Sequence, residues 1–139
     1  MQTTSAAAHL RLVLARAARR LRQEAGADLS PSQTAALATI ERRGPLTPSE
    51  LAAYERIQRP TATRVLARLE EAGLVTRAAD PADGRSSLVS LSAEGRALLE
   101  RVRTRKDAFL AQRLDRLDAE ERAVLERAAD ILERLLEDA

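Results

Sequence analysis

The sequence contains no cysteine and only one histidine, His9. Disulfide bonds, thiol-based redox sensing and zinc sites built on cysteine are therefore excluded, and so is a metal site with several histidine ligands. No glycine-rich phosphate loop occurs either, and His9 has no evident catalytic partner in the sequence. We therefore expect neither an enzyme nor a bound metal or cofactor.

Aromatic residues are nearly absent, since only Tyr54 and Phe109 occur. No apolar run approaches the roughly 18 residues of a membrane span, so the sequence predicts a cytoplasmic protein without a membrane segment. Hydrophobic residues still make up 45% of the 139-residue chain, which is enough to bury a core. Aliphatic side chains must fill that core, which favours helices packed on helices.

Lysine is scarce as well, because Lys106 is the only lysine among the 23 basic residues. Arginine carries a planar fork of donors that suits phosphate and guanine. An arginine-rich, lysine-poor composition is also typical of GC-rich genomes. The positions of the arginines, rather than their number, therefore carry the functional prediction.

Capping signals and apolar spacing predict the helices. Ser30-Pro31-Ser32-Gln33 and Thr47-Pro48-Ser49-Glu50 each combine a capping box with a proline at the first helical position, and Asp118 with Glu121 indicates a further capping box. The helices are expected over about Ala6–Ala25, from Ser30 to Gly44, from Thr47 to about Glu55, over about Pro60–Ala72, over about Ala93–Arg116 and from Asp118 onward.

The period changes to that of strands after Gly73. Leu74–Arg77 and Ser87–Leu91 are predicted strands, and the turn over Asp80–Arg85 contains Asp83-Gly84, a strong hairpin signal. The fold class is therefore mainly α with a small β-hairpin (α+β). We expect a single domain over residues 1–139, with a winged helix-turn-helix over residues 30–92 flanked by helices over residues 5–26 and 93–139.

The two ends of the chain carry opposite charge. Residues 1–23 hold five arginines and no acid, whereas residues 118–139 hold eight acids and three arginines. The last helix also carries apolar residues at near-heptad spacing, which need a partner. We expect the two terminal helices to pair with each other through their opposite charges. An arginine-rich, acid-poor N-terminus is also typical of a mitochondrial transit peptide, which is the alternative.

Residues 56–69 contain four arginines and no acid. In a helix that starts near Pro60, helical spacing turns Ala62, Val65, Leu66 and Leu69 towards the core and leaves a small, polar or basic face outside. Such a face suits the major groove of DNA, where an acid would repel phosphate. A solvated basic face on an ordinary helix is the alternative, and the adjoining hairpin argues against it.

The residues predicted to contact DNA are Arg56, Gln58, Arg59, Pro60, Thr61, Thr63, Arg64, Arg68, Asp83 and Arg85. Arg64 is expected to contact guanine, and Arg56, Arg59 and Arg68 to contact phosphates. Arg85 either enters a narrow minor groove or solubilises the turn. Asp83 either orients the Arg85 guanidinium or caps the turn.

The segment LTPSELA…RPTATRVLARLEEAGLVTRAADPADGRSSLVSLSAEGRALL, residues 46–99, resembles the MarR (multiple antibiotic resistance regulator) family. Asp83-x-Arg85 followed by Val89-x-Leu91-Ser92-x-x-Gly95 carries the resemblance; Ser92 stands where the family usually has threonine. The resemblance implies a DNA-binding transcriptional regulator, often a repressor released by a small aromatic or phenolic effector. It also implies a homodimer formed by the terminal helices on a pseudo-palindromic double-stranded operator.

The sequence lacks the cysteine of the family's oxidant-sensing branch and the metal ligands of its zinc-sensing branch. His9 and Arg16 lie seven residues apart on one helix face and are candidates for holding a carboxylate or phenolate; exposure of His9 and pairing of Arg16 with the acidic last helix are the alternatives. A second functional hypothesis is a winged-helix protein-interaction module. Such a module usually presents apolar anchors, and Thr63, Arg64 and Ala67 offer none.

Overall fold

The computed structural model describes residues 2–26 and 28–137, which form six helices and a two-stranded antiparallel hairpin. This architecture confirms the predicted fold class. The elements are α1 (Thr3–Ala25), α2 (Pro31–Arg43), α3 (Pro48–Glu55), α4 (Arg59–Glu71), β1 (Val75–Ala79), β2 (Ser87–Leu91), α5 (Ala93–Leu114) and α6 (Ala119–Leu136). The predicted bounds differ from these by up to three residues, the largest difference being at the start of α1.

Two capping boxes start α2 and α3 as predicted. Ser30 Oγ accepts the Gln33 N–H at 3.1 Å, and Gln33 Oε1 accepts the Ser30 N–H at 2.9 Å. The matching bonds between Thr47 and Glu50 are 3.1 and 3.0 Å. At α6 the structure shows the forward bond alone, from the Glu121 N–H to the side chain of the N-cap Asp118.

The core lies inside the winged helix-turn-helix formed by α2, α3, α4 and the hairpin. Its fully buried side chains are aliphatic: Leu37, Ile40, Leu46, Leu51, Leu66, Leu69 and Val89. Leu46 exchanges two backbone hydrogen bonds with Val89, at 3.1 and 2.7 Å. This bridge ties the connection between α2 and α3 to β2 and fixes the hairpin against the helices.

The end of α4 and the start of α5 meet at a close backbone contact. Ser92 Oγ donates to the Gly73 carbonyl at 2.6 Å and accepts the Gly95 N–H at 3.0 Å. A Cβ added at Gly95 would lie 2.1 Å from the Leu74 carbonyl oxygen, so only glycine fits there. These contacts explain physically why the sequence places Gly73, Ser92 and Gly95 where it does.

Helix α5 connects the winged helix-turn-helix to α1. Arg103 forms an ion pair with Glu41 of α2 at 2.8 Å, and the hydrogen bond that it donates to the Glu41 carboxylate raises the pKa of Arg103 above its ordinary value. At the C-terminal end of α1, Arg105 Nη1 of α5 donates to the Ala25 carbonyl at 2.8 Å and so satisfies one of the last carbonyls of α1. Helix α1 packs along α5.

Helix α6 has no such support within one chain. Between residues 119 and 136, all of which the structure describes, no side chain is buried, and α6 makes at most sparse contact with the other elements. The predicted pairing of α1 with α6 is therefore not seen inside the single chain and would need a second copy. None of the helices in the described residues is long and apolar enough to cross a membrane.

Candidate nucleic-acid interface

A three-residue turn joins α3 to α4. Arg56 adopts the left-handed conformation, with φ 54° and ψ 44°, and it is the one non-glycine residue with positive φ in the described part of the chain. The Ile57 N–H closes the turn on the Ala52 carbonyl at 3.0 Å. A non-glycine residue in this conformation costs about 1–3 kcal/mol, so the surrounding packing must hold the turn in place.

The first turn of α4 starts outside the core. Gln58 is the N-cap in extended conformation, and its side chain makes no capping bond, which leaves the exposed amide available to a ligand. Pro60 occupies the first turn, where its missing N–H costs no intrahelical bond. The positive end of the helix dipole lies here, and residues 59–69 contain no acid to offset it.

Helix α4 presents the face that helical spacing predicts. Ala62, Leu66 and Leu69 are each 0% exposed, and Val65 is half-buried. The exposed positions on the opposite side and its flanks are Arg59, Pro60, Thr63, Arg64, Ala67 and Arg68. Pro60, Arg64 and Ala67 form a ridge, because successive residues of an α-helix turn by about 100°.

A groove of about 230 Å³ runs on one side of this ridge, between the start of α3, α4 and the hairpin. We name it the wing-side groove; its lining includes three arginines, Arg59, Arg77 and Arg85, together with Thr63 of α4. The remaining lining residues are small or polar: Thr47, Pro48, Ser49, Ser86 and Ser87. The guanidinium groups of Arg59 and Arg85 beside a helix N-terminus make a site that favours anions, whereas that of Arg77 is paired with Glu70.

A second groove, of about 280 Å³, runs on the other side of the ridge between α4 and the start of α2. We name it the α2-side groove; Thr61, Arg64 and Arg68 line it from α4, and Ser30, Ser32 and Gln33 line it from α2. Hydroxyl and amide donors at a helix start are typical contacts to the DNA backbone. The ridge therefore lies between two polar, arginine-bearing grooves.

Arg77 was missed by the sequence analysis. Its Nε donates to Glu70 Oε2, and its Nη1 lies 3.3 Å from Ser87 Oγ. In the hairpin register Arg77 stands opposite the buried Val89, so it lies on the core-facing side of β1, at the edge of the core. The period-two pattern with Val75 could have signalled this placement, whereas the contact with Glu70 depends on how α4 packs on the hairpin.

The Asp83 side chain is bonded to the backbone of the wing turn. Its Oδ1 accepts the backbone N–H of Arg85 at 3.0 Å, and its carbonyl accepts the Ser86 N–H at 3.0 Å. Asp83 thus caps the wing turn. Arg85 is exposed and lines the wing-side groove.

The two grooves bring together most of the predicted residues but not all. Arg56 and Gln58 lie in the turn before α4 and line neither groove. Farther away, His9 and Arg16 lie on α1, where both side chains are exposed.

Comparison with known proteins identifies this arrangement. The MarR family model matches residues 29–87, and an HTH-type transcriptional regulator of Mycobacterium tuberculosis is 40% identical over 134 residues, covering 96% of this chain and 94% of the relative. The chain belongs to the MarR family. This family consists of helix-turn-helix transcriptional regulators and is non-enzymatic, in agreement with the sequence prediction. An HTH-type transcriptional repressor of M. tuberculosis is 34% identical over 120 residues, covering 83% of this chain and 84% of that protein.

Solved structures show the MarR fold over nearly the whole chain. A Pseudomonas aeruginosa protein whose name assigns it to transcriptional regulation is 41% identical, has a TM-score of 0.89, and is matched over 98% of this chain and 96% of its own. Streptococcus pneumoniae FabT, solved in complex with DNA, is 21% identical, has a TM-score of 0.75, and is matched over 99% of both chains. At that identity FabT shows the shared fold alone.

Proposed function

We propose that the chain binds double-stranded DNA sequence-specifically as a homodimer and represses transcription. The observation that carries this proposal is the exposed, acid-free ridge of α4 between two arginine-bearing grooves. A ridge of this kind fits the major groove, and the flanking grooves receive the phosphates on either side. FabT, which shares the fold, was solved in complex with DNA, and this supports the proposal.

The arginines divide by their place relative to the ridge. Arg64 lies on the ridge, and its fork matches the O6 and N7 acceptors of guanine. Arg59 and Arg85 lie in the wing-side groove and Arg68 in the α2-side groove, so we assign them to phosphates. Arg77 joins this set because it lines the same wing-side groove. Asp83 contributes by holding the turn that carries Arg85.

The homodimer is supported by the unburied apolar side chains of the terminal helices. Ten large hydrophobic side chains that are 38–77% exposed lie on α1, α5 and α6: Leu10, Leu12, Val13, Leu14, Leu110, Val124, Leu125, Ile131, Leu135 and Leu136. Exposed apolar patches of this kind mark interaction surfaces. Two copies would place their α4 helices about 34–36 Å apart, one turn of DNA, on a pseudo-palindromic operator.

Repression is supported by the M. tuberculosis relative that is named a transcriptional repressor. Release by a small aromatic or phenolic effector follows from the family resemblance, with His9 and Arg16 as its proposed contacts. An effector of this type acts only if it binds the DNA-incompetent arrangement more tightly than the competent one.

DNA affinity of two matched variants tests the proposal. Arg64→Ala is expected to weaken binding to the protein's own promoter by about 1–3 kcal/mol and to reduce discrimination against random DNA. Arg59→Ala is expected to weaken both DNAs equally and to lower the salt slope by about one, because it removes a phosphate contact. Arg59 is a cleaner choice than Arg56, whose replacement would also alter the left-handed turn.

Arg42→Ala is the control, since it removes the same charge at the far end of α2 from the α2-side groove. Fluorescence anisotropy at several salt concentrations measures all three variants. If Arg64→Ala leaves both affinity and discrimination intact, the ridge is not the recognition surface. If the unaltered chain binds no DNA, the protein-interaction module becomes the better hypothesis.

A further inference from the structure

Glu70 is an acid on the row of α4 that borders the wing-side groove. Helical spacing places Arg59, Thr63 and Glu70 within about 40° of one another around the helix, and Arg59 and Thr63 line the groove. Residues 59–69 carry no acid, so Glu70 is the first negative charge along this row. An unpaired carboxylate here would repel nearby phosphates. Glu70 is therefore compatible with DNA binding only if its charge is offset.

The Glu70 carboxylate is paired with Arg77 of β1. Arg77 Nε donates to Glu70 Oε2, and Arg77 Nη1 donates to Ser87 Oγ of β2 at 3.3 Å. In the hairpin register Ser87 stands opposite Ala79, two residues along β1 from Arg77, so Arg77 and Ser87 share one face of the hairpin. Two different elements, α4 and β2, therefore hold the same guanidinium group.

These two bonds leave part of the Arg77 guanidinium unused. The group has five N–H donors, of which Glu70 accepts the one on Nε and Ser87 accepts one of the two on Nη1. No described residue accepts a hydrogen bond from Nη2. The Arg77 side chain is 29% exposed and lines the wing-side groove. Its remaining donors are therefore accessible to an anion, while its Nε is anchored.

We infer that Glu70 is a positioning residue for DNA binding, because it fixes the Arg77 guanidinium so that the remaining N–H groups meet a backbone phosphate. The inference rests on the proposed function, which assigns Arg77 to phosphates, and adds the acid that orients it. Binding normally immobilises a long arginine side chain at a cost in affinity, and a guanidinium that is already held avoids most of that cost. The same pairing offsets the negative charge of Glu70 beside the groove.

Two roles of Glu70 predict effects of opposite sign. If Glu70 acts only as a negative charge near DNA, neutralising it strengthens binding. If Glu70 positions Arg77, neutralising it weakens binding. Glu71 provides the matched control, because it is the adjacent exposed acid on α4 and lies about 100° around the helix from Glu70.

Fluorescence anisotropy with the protein's own promoter and with random DNA measures these effects. Glu70→Gln should weaken binding to both DNAs at least about threefold, because a phosphate contact carries no sequence information. Glu71→Gln should leave the affinity unchanged or raise it slightly. Arg77→Lys keeps the charge but loses the fork, so adding Glu70→Gln to it should cause no further loss. Thermal melts verify that each variant is folded at the temperature of the binding measurement.

The outcomes separate this inference from the proposed function. A loss of affinity in Glu70→Gln that disappears in the Arg77→Lys background supports the positioning role. Affinity that is unchanged or raised in Glu70→Gln, as in Glu71→Gln, overturns the inference and leaves the proposed DNA binding in place. An equal loss with and without Arg77→Lys also overturns it, since Glu70 would then not act through Arg77. If the unaltered chain binds neither DNA, the proposed function fails and this inference fails with it.

Discussion

The winged helix-turn-helix buries its large apolar side chains, whereas the terminal helices leave many of theirs exposed. In the first, Leu37, Leu46 and Leu66 are 0% exposed; in the second, Leu135 and Leu136 are 69% and 77% exposed. Both regions are built from aliphatic residues at helical spacing, so composition does not cause the difference. The comparison indicates that the winged helix-turn-helix completes its core alone, whereas the terminal helices leave apolar side chains uncovered within one chain. In the proposed homodimer these helices are one half of the interface.

The largest expected effect comes from truncating one leucine in each region. Leu66→Ala should lower the free energy of unfolding by about 3 kcal/mol, because it leaves a cavity in a closed core. Leu135→Ala, the matched change on α6, should lower it mainly by weakening assembly. Chemical denaturation at several protein concentrations separates the two, since a dimer term depends on concentration. Equal, concentration-independent losses would contradict the comparison.

Substitutions at two glycines test the junction at which the start of α5 joins the winged helix-turn-helix. Gly95→Ala should destabilise the protein by about 2–3 kcal/mol, because its Cβ would collide with the Leu74 carbonyl and force the start of α5 to shift. Gly84→Ala is the control, since no heavy atom lies within 4 Å of a Cβ there; we expect a change within about 0.5 kcal/mol. Thermal melts followed by circular dichroism measure both. A mild Gly95→Ala would mean that the junction is not rigid.

Charge reversal on α1 sharpens the proposal that α1 faces a partner's α6. Arg20 is less suitable for this reversal than Arg16 and Arg19, since it pairs with Glu24 at 2.9 Å and lies over the Phe109 ring. Reversing the exposed Arg16 and Arg19 to Glu should weaken the dimer by about tenfold, or 1.4 kcal/mol. Analytical ultracentrifugation measures the dissociation constant.

The effect of that reversal should shrink in 1 M NaCl, where the screening length falls to about 3 Å. Arg42→Glu, a single charge reversal on α2, should leave the dissociation constant unchanged. An assembly that is indifferent to both salt and the α1 reversal would leave the charge pairing without support.

The smallest effect is expected at the ion pair that joins α2 to α5. Glu41→Gln should cost less than about 1 kcal/mol, because both side chains are partly exposed. Because the pKa of Arg103 is raised, the contribution of its ion pair to the free energy of unfolding is fully present below the ordinary arginine pKa. This contribution therefore does not vary over the working pH range. A double-mutant cycle with Arg103→Gln isolates the pair; a coupling of several kcal/mol would show that the connection between the regions is stiffer than expected.

Local signals predicted most of the fold. The capping residues of α2 and α3, the inward phase of α4 and the hairpin after Gly73 were all visible in the sequence, because each depends on residues close together in the chain. The left-handed Arg56 was not, since glycine is the usual residue in that conformation. The contact of Arg77 with Glu70 and the bridge between Leu46 and Val89 were also missed, because they arise only when distant segments pack.

The candidate interface was predicted less completely for the same reason. Helical spacing placed Arg64 and Ala67 outside, but it could not show that Ser30 and Ser32 border Arg68, or that Thr47 and Ser49 border Arg85. Those neighbours belong to other helix starts. The clustering of three helix starts around one ridge is a property of tertiary packing.

The hydroxyl of Ser92 has a mechanical consequence. By joining the Gly73 carbonyl to the first turn of α5, it clamps the segment that follows α4 to the end of a 22-residue helix that is about 33 Å long. A tilt of about 10° at one end of such a rod displaces the other by about 6 Å, more than the 3.4 Å step between base pairs. In the proposed dimer, α5 would therefore amplify a small rotation of the terminal helices into a displacement of α4 that is large enough to lose register with the operator.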